Sequence, residues 1–358
     1  MINKQSIIII LTAVILLSPG CSCGKKTKIA LMTKLESGSV VGVSEVNSAK
    51  MFLEEKGVEN IEIVPFDDAW EPEKTVKAYE EIKKSGINII ITSHTSSCAV
   101  AISEAVNRDR VLMLVTGATT DILSDKDDFI LRNVHDVRQE QKLIAQYMKS
   151  RGFSSLLIVR DIENAAYTEP ALHYFSRYYN GKKIKTIDIN ISQFNAEALE
   201  KRVRGVSFDG LYILIGGHKA AAGSVAQLIR TIRPFVPVIY TPWMKTPAIV
   251  ETAGASICDS IFPSIYPERA LHSNVDSYLR RYRERYKEPP TFISLNVYSA
   301  MQILKEAIDA GHNDPGSIKS FILREGTIQT DFGPVMFNRY GDTESPLYFI
   351  TDIRQEFR

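Results

Sequence analysis

At 358 residues the chain suits two medium-sized domains, each able to bury its own core, rather than one. Lys and Arg number 43 against 42 Asp and Glu, and a net charge of +1 gives no support for a nucleic-acid groove or a polybasic membrane surface. Hydrophobic residues at 44% and charged residues at 24% are the proportions of a soluble globular protein, with no low-complexity tract or short-period repeat.

The chain opens with Lys4, an apolar run from Ile7 to Leu17 too short to span a bilayer, and Ser18-Pro19-Gly20-Cys21. This order predicts an export signal. A small residue before Cys21 resembles the bacterial lipoprotein signal, which implies lipidation at Cys21 and a location in the periplasm or at the cell surface, although Leu17 and Pro19 depart from the usual spacing. Cys23 lies in the same segment, leaving Cys98 and Cys258 for the folded part, read as two buried free thiols with a single disulfide as the alternative.

From Lys28 the pattern alternates strand and helix. Ile29–Thr33 is a strand, Ser39–Glu55 a helix, and Ile61–Phe66 a strand ending in Asp67-Asp68. Glu71-Pro72 then opens a helix to about Ser85, with the early proline that helix starts favour. The β-branched runs Ile87–Ile91 and Val111–Val115 read as buried parallel strands. Each ends in a small polar turn, Thr92-Ser93-His94-Thr95-Ser96-Ser97 and Thr116-Gly117-Ala118-Thr119-Thr120. Ligands bind at strand carboxyl ends in open α/β sheets, and hydroxyls beside open helix-start amides suit a carboxylate. Phe129–Arg132 is a further strand, after which Asp136 caps a helix to about Ser150.

A second block repeats the rhythm. Its strands are Leu156–Val159, Lys183–Ile189, Leu211–Ile215 and Pro237–Tyr240, with helices beginning near Asn164, Asn195, Ala220 and Lys245. The tail carries helices over Asn274–Lys287 and Leu295–Gly311 and from Ser317, then strands within Thr327–Asn338 and Leu347–Asp352. Helices without intervening strands must pack on an existing sheet.

The order of these motifs resembles the type I periplasmic solute-binding proteins of ABC importers, in the branched-chain amino acid (Leu/Ile/Val) binding family. The residues that carry it are Glu36-Ser37-Gly38, Asp67-Asp68, Ser96-Ser97, Val115-Thr116-Gly117-Ala118-Thr119, Asp161 with Tyr167, Gly216-Gly217, Tyr282 with Glu288-Pro289-Pro290, Asn296-Val297-Tyr298-Ser299-Ala300, and Gly333-Pro334 with Gly341-Asp342. The resemblance implies an α/β fold of two doubly wound parallel-sheet lobes joined by a three-strand hinge. Residues 1–27 would be signal and linker, 28–134 plus 267–332 the first lobe, and 135–266 plus 333–358 the second. The crossings would fall near Asn133–Asp136, Phe262–Tyr266 and Gly333–Asp342. It implies ligand capture by hinge closure and delivery to an ABC permease, with no catalysis, cofactor or metal. A sensor of the same fold that signals to a membrane receptor or kinase is the alternative.

Carried over residue by residue, the resemblance places ligand contacts at Ser96, Ser97, Gly117, Thr119, Tyr167, His218 and Trp243. Plainer readings stand beside each: Ser96 as a helix cap, Thr119 as a turn residue, Tyr167 as a core aromatic, His218 as a cap. Trp243 stands where Leu/Ile/Val-binding members carry the glutamate that pairs with the ligand's ammonium, which points to a carboxylate lacking an amine, a small aromatic acid or an amide, unless Glu36 or Asp121 substitutes. The six histidines show no metal-ligand spacing, and no Gly-x-Ser-x-Gly elbow or phosphate loop is present. The run Arg280-Arg281-Tyr282-Arg283-Glu284-Arg285 reads as a solvated helix face.

Overall fold

The computed structural model describes residues 26–36, 39–180 and 183–357. Cys21, Cys23 and residues 37–38 of the Glu36-Ser37-Gly38 loop lie outside them. The first block folds as β1 (Thr27–Thr33), α1 (Val40–Glu55), β2 (Ile61–Asp67), α2 (Pro72–Lys84), β3 (Ile89–Thr92), α3 (Ser96–Asp109), β4 (Leu112–Val115) and β5 (Ile130–Arg132). The strands form one parallel sheet in the order β2-β1-β3-β4-β5. Successive residues of β1 point to opposite faces: Ile29 and Leu31 enter one core, Ala30 and Met32 another. Both faces are therefore covered, which is why these strands read as continuous apolar runs.

The second block is α4 (Val137–Ser150), β6 (Ser155–Asp161), α5 (Ala165–Tyr178), β7 (Lys183–Ile189), α6 (Ala196–Val203), β8 (Gly210–Leu214), α7 (Lys219–Ile232), β9 (Val238–Tyr240), α8 (Pro247–Ala253) and β10 (Ser260–Ser264). Asp136 accepts the Gln139 amide at 2.6 Å and Asn195 the Ala198 amide at 2.9 Å, fixing the starts of α4 and α6. The tail adds α9 (Ser273–Tyr286), α10 (Phe292–Asp309), α11 (Pro315–Glu325), β11 (Thr327–Thr330), β12 (Gly333–Met336), β13 (Tyr348–Ile350) and α12 (Ile353–Glu356). The second sheet runs β13-β10-β9-β8-β6-β7, parallel except for the antiparallel edge strand β13. The tail helices α9, α10 and α11 pack on the first sheet, where Tyr278, Tyr298 and Ile318 join the core of Ile29 and Leu31.

Four details differ from the sequence expectation. β10 was unforeseen, because Ser260-Ile261-Phe262-Pro263-Ser264 lacks clean alternation and carries a proline, yet it pairs with β9 and β13. Gly333-Pro334 does not leave the first half: β12 closes a hairpin with β11, and Val335 and Phe337 stay in the first core, so the last crossing follows Phe337. Cys98 and Cys258 are both free, but Cys258 is exposed rather than buried. In the arginine run, Arg281 pairs with Glu55 at 2.8 Å and Arg285 with Glu54, both on α1, so this helix face is tied down rather than simply solvated.

The crossings are bound to one another. Buried Arg132, at the end of β5, donates through Nε to Asp342 at 2.9 Å and through Nη1 to the Thr120 carbonyl at 2.6 Å. Gly341 (φ +91°) is needed beside it, since a Cβ would lie 2.1 Å from Leu131 Cδ2. His135 Nε2 meets the Ser345 carbonyl at 2.7 Å, joining the first and last crossings. Asn296 on α10 donates to the Thr116 carbonyl at 2.8 Å and accepts the Tyr266 hydroxyl at 2.6 Å, while its own carbonyl accepts Asn133 at 2.9 Å.

Candidate functional site

The carboxyl edges of the two sheets face a cavity of about 1040 Å³. Its first wall is built by the turns that follow β3 and β4. Thr95 occupies the N-cap of α3 without capping it, since its hydroxyl turns to Ser97 Oγ (3.0 Å) and Cys98 Sγ (3.2 Å). Among the described residues, no side chain thus takes the first-turn amides of the helix. Ser96 does not cap the helix either. Its Oγ accepts the Thr120 amide at 3.2 Å, which ties the two turns together and leaves its own O–H free to donate. Gly117 is where the turns meet: a Cβ there would lie 2.3 Å from the Ser93 carbonyl oxygen, so only glycine lets the backbones approach. Ser96, Ser97, Gly117 and Thr119 all line the cavity.

A buried polar layer supports this wall. Ser93 Oγ lies 3.0 Å from Thr33 Oγ1 and donates to Glu45, a fully buried carboxyl on α1. Burial raises the Glu45 pKa to about 7 against the lowering effect of hydrogen bonds from Ser93 and Thr33. His94 Nδ1 meets Asp68 at 2.8 Å, while its buried Nε2 has no partner among the described residues. Trp70 lines the same wall with φ +59°, following Ala69 at +48°. Asp67 and Asp68 hold this uncommon backbone by accepting the Ala69 and Trp70 amides at 2.9 and 3.1 Å. Neither His94 nor Trp70 was singled out from sequence, although the Asp67-Asp68 pair marks the turn that presents Trp70.

The opposite wall comes from the second sheet. Tyr167 on α5 and Asn164 before it sit over Gly216, where a Cβ would come within 2.5 Å of Asn164 Nδ2 and 3.0 Å of Tyr167 Cδ1. Trp243, in the short turn after β9, meets Tyr167 edge-on with ring centroids 6.3 Å apart, and Phe292 at the start of α10 at 5.6 Å. The Tyr167 hydroxyl donates to Glu140 at 2.8 Å, Gln141 donates to the same oxygen at 2.8 Å, and Tyr212 donates to Gln141 at 3.0 Å. Burial raises Glu140 to about 7, opposed by the hydrogen bonds from Tyr167 and Gln141. Tyr167 therefore belongs both to the cavity wall and to a buried chain behind it.

His218 is the exception among the residues expected to touch a ligand. It is exposed at the N-cap of α7 and does not line the cavity; its neighbour Lys219 does. The substitutes considered for the absent glutamate also face elsewhere. Glu36 pairs with Lys74 at 2.9 Å and Asp121 accepts the Tyr174 hydroxyl at 2.6 Å, and neither lines the cavity. The carboxylates that do line it are Glu251 and Glu356, both at positions the sequence did not suggest. Among the described residues no three His, Cys, Asp or Glu side chains converge as a metal site would require.

The family model described as periplasmic binding protein matches residues 26–354. Among curated proteins, the Leu/Ile/Val-binding protein BraC3 of Rhizobium johnstonii is 24% identical over 319 residues, covering 87% of this chain and 84% of that protein. Among solved structures, the branched-chain amino acid transporter substrate binding protein LivJ of Streptococcus pneumoniae, in complex with isoleucine, is 17% identical with a TM-score of 0.77, covering 91% of this chain and 96% of that one. A solute binding protein of an ABC transporter from Rhodopseudomonas palustris, in complex with 3,4-dihydroxy benzoic acid, is 17% identical with a TM-score of 0.76 and covers 91% and 93%. At these identities the solved structures carry the fold alone, whereas the family model spans nearly every described residue. The chain belongs to the periplasmic binding protein family.

Proposed function

We propose that this protein is an extracytoplasmic solute-binding lipoprotein, anchored at Cys21, that captures a small amino acid or related carboxylate and delivers it to an ABC permease. One observation carries the reading: six of the seven residues matched from sequence, Ser96, Ser97, Gly117, Thr119, Tyr167 and Trp243, line one cavity between the carboxyl edges of the two sheets. In this reading Ser96 and Thr119 with the α3 amides receive the ligand carboxylate, and Tyr167 and Trp243 close over it from the opposite lobe. Residues 28–134 and 267–337 form one moving lobe and 135–266 with the remaining tail the other. Contacts across the cleft favour the closed form, which the permease recognises. No bond is made or broken.

Mass spectrometry of small molecules released on denaturing the purified protein tests the reading, together with thermal unfolding against a library of amino and organic acids. A retained acid, or a rise in melting temperature with one, supports it. Neither across the library overturns it. Release of Cys21→Ala from the membrane fraction tests the anchor, and continued membrane association overturns it.

A further inference from the structure

The charges lining the cavity are unbalanced. Five cations, Lys219, Lys245, Arg269, Arg280 and Arg283, face two carboxylates, Glu251 and Glu356. Glu356 is consumed, accepting Lys245 at 3.0 Å and the Arg269 amide at 2.7 Å. Glu251 is exposed on α8 and already solvated. Arg269 and Arg280 both pair with Asp276, at 2.6 and 2.9 Å, and Arg283 donates to the Phe357 carbonyl at 2.8 Å. Lys219 differs from these four. Its ammonium has no hydrogen-bond or ion-pair partner among the described residues, and it is half-buried where α7 begins, beside Gly216-Gly217 and across the cavity from the hydroxyl turns.

A partly desolvated ammonium without a counter-charge is unfavourable, and here burial lowers its pKa with no opposing cause. An anion in the cavity removes that cost. An α-ammonium on the ligand would add to it, with no buried carboxylate left to receive the charge. We propose that Lys219 is the specificity-determining residue of this cleft and that the ligand is a small dicarboxylate without an α-ammonium, one carboxylate on the Ser96 and Thr119 turns and the other on Lys219. The inference rests on the cleft being a solute site and names the class of solute.

The test is calorimetric titration of the full mature protein, freed of retained ligand, with succinate, glutarate and 2-oxoglutarate, and separately with leucine. At least one dicarboxylate is expected to bind more tightly than leucine. Lys219→Met is expected to weaken that binding by about tenfold or more, with Lys219→Arg retaining most of it and both variants keeping the native melting temperature. Leucine binding more tightly than every dicarboxylate overturns the inference and leaves the solute-binding reading standing. Unchanged dicarboxylate affinity in a folded Lys219→Met also overturns it. No binding by any of the four overturns the inference, and if in addition no acid is retained through purification and none in the wider library raises the melting temperature, the solute-binding reading falls with it.

Discussion

The two walls of the cleft are built on opposite plans. The first is made of backbone turns and small hydroxyls, and most of its groups are already placed: Ser96 is tied to Thr120, Ser93 to Thr33, and Gly117 is pressed against the Ser93 carbonyl. The second is made of large side chains, Tyr167 and Trp243 in edge contact, with Lys219, unpartnered among the described residues, lining the same cavity. A preformed wall loses little entropy when a ligand arrives and suits the group every ligand of a class shares. In the proposed function, the wall of side chains is where one ligand is told from another. Yet both rest on the same foundation, a buried glutamate raised to about 7, Glu45 behind one and Glu140 behind the other.

The sharpest way to break this contrast is at the point of closest approach. Gly117→Ala is expected to destabilise the protein by about 3 kcal/mol in urea unfolding, because the new methyl meets backbone that cannot rotate away. A loss below about 1 kcal/mol would show that the first wall is not rigid.

A slightly smaller effect concerns the foundation of the second wall. Between the ordinary glutamate value near 4.3 and about 7, the folded chain holds a proton on Glu140 that the unfolded chain has released. The Glu140 contribution to stability therefore falls as pH rises through that window and levels off above it. Glu140→Gln is expected to remove about 2 to 3 kcal/mol of the fall between pH 5 and pH 8. The same pH slope in variant and parent would remove Glu140 from this role.

The smallest effects separate contact from neighbourhood. Ser96→Ala is expected to weaken ligand binding by about 1 to 2 kcal/mol without lowering the melting temperature. His218→Ala, at an exposed site off the cavity, is expected to change affinity by less than about 0.3 kcal/mol, read in the same titration. Equal losses in the two variants would erase the distinction between lining and flanking positions.

Much of the architecture was legible because it is local. β-branched runs, Asp136 and Asn195 at helix starts, and Pro72 in a first turn report on their own neighbourhoods, and the structure carries elements at those places. β10 was not legible, because what makes Ser260–Ser264 a strand is its pairing with β9 and β13 rather than any pattern of its own. The first wall was likewise readable, being two contiguous turns. The second wall is assembled from α5, α7, the turn after β9 and the start of α10, so one position of slip moved attention to His218 and away from Lys219. Trp70 was hidden for another reason: nothing in the letter for tryptophan says that its backbone is left-handed.

Asn296 has a consequence beyond packing. One side chain holds the carbonyl of Thr116, at the root of the first wall, and the hydroxyl of Tyr266, on the second crossing, while its main chain holds Asn133 on the first. A three-way joint of this kind works as a linkage in the mechanical sense. In the proposed hinge motion, displacement of the turn is passed through this joint to two of the chains that cross between the halves. Under that proposal, occupancy of the cleft and the angle between the halves are linked through one side chain.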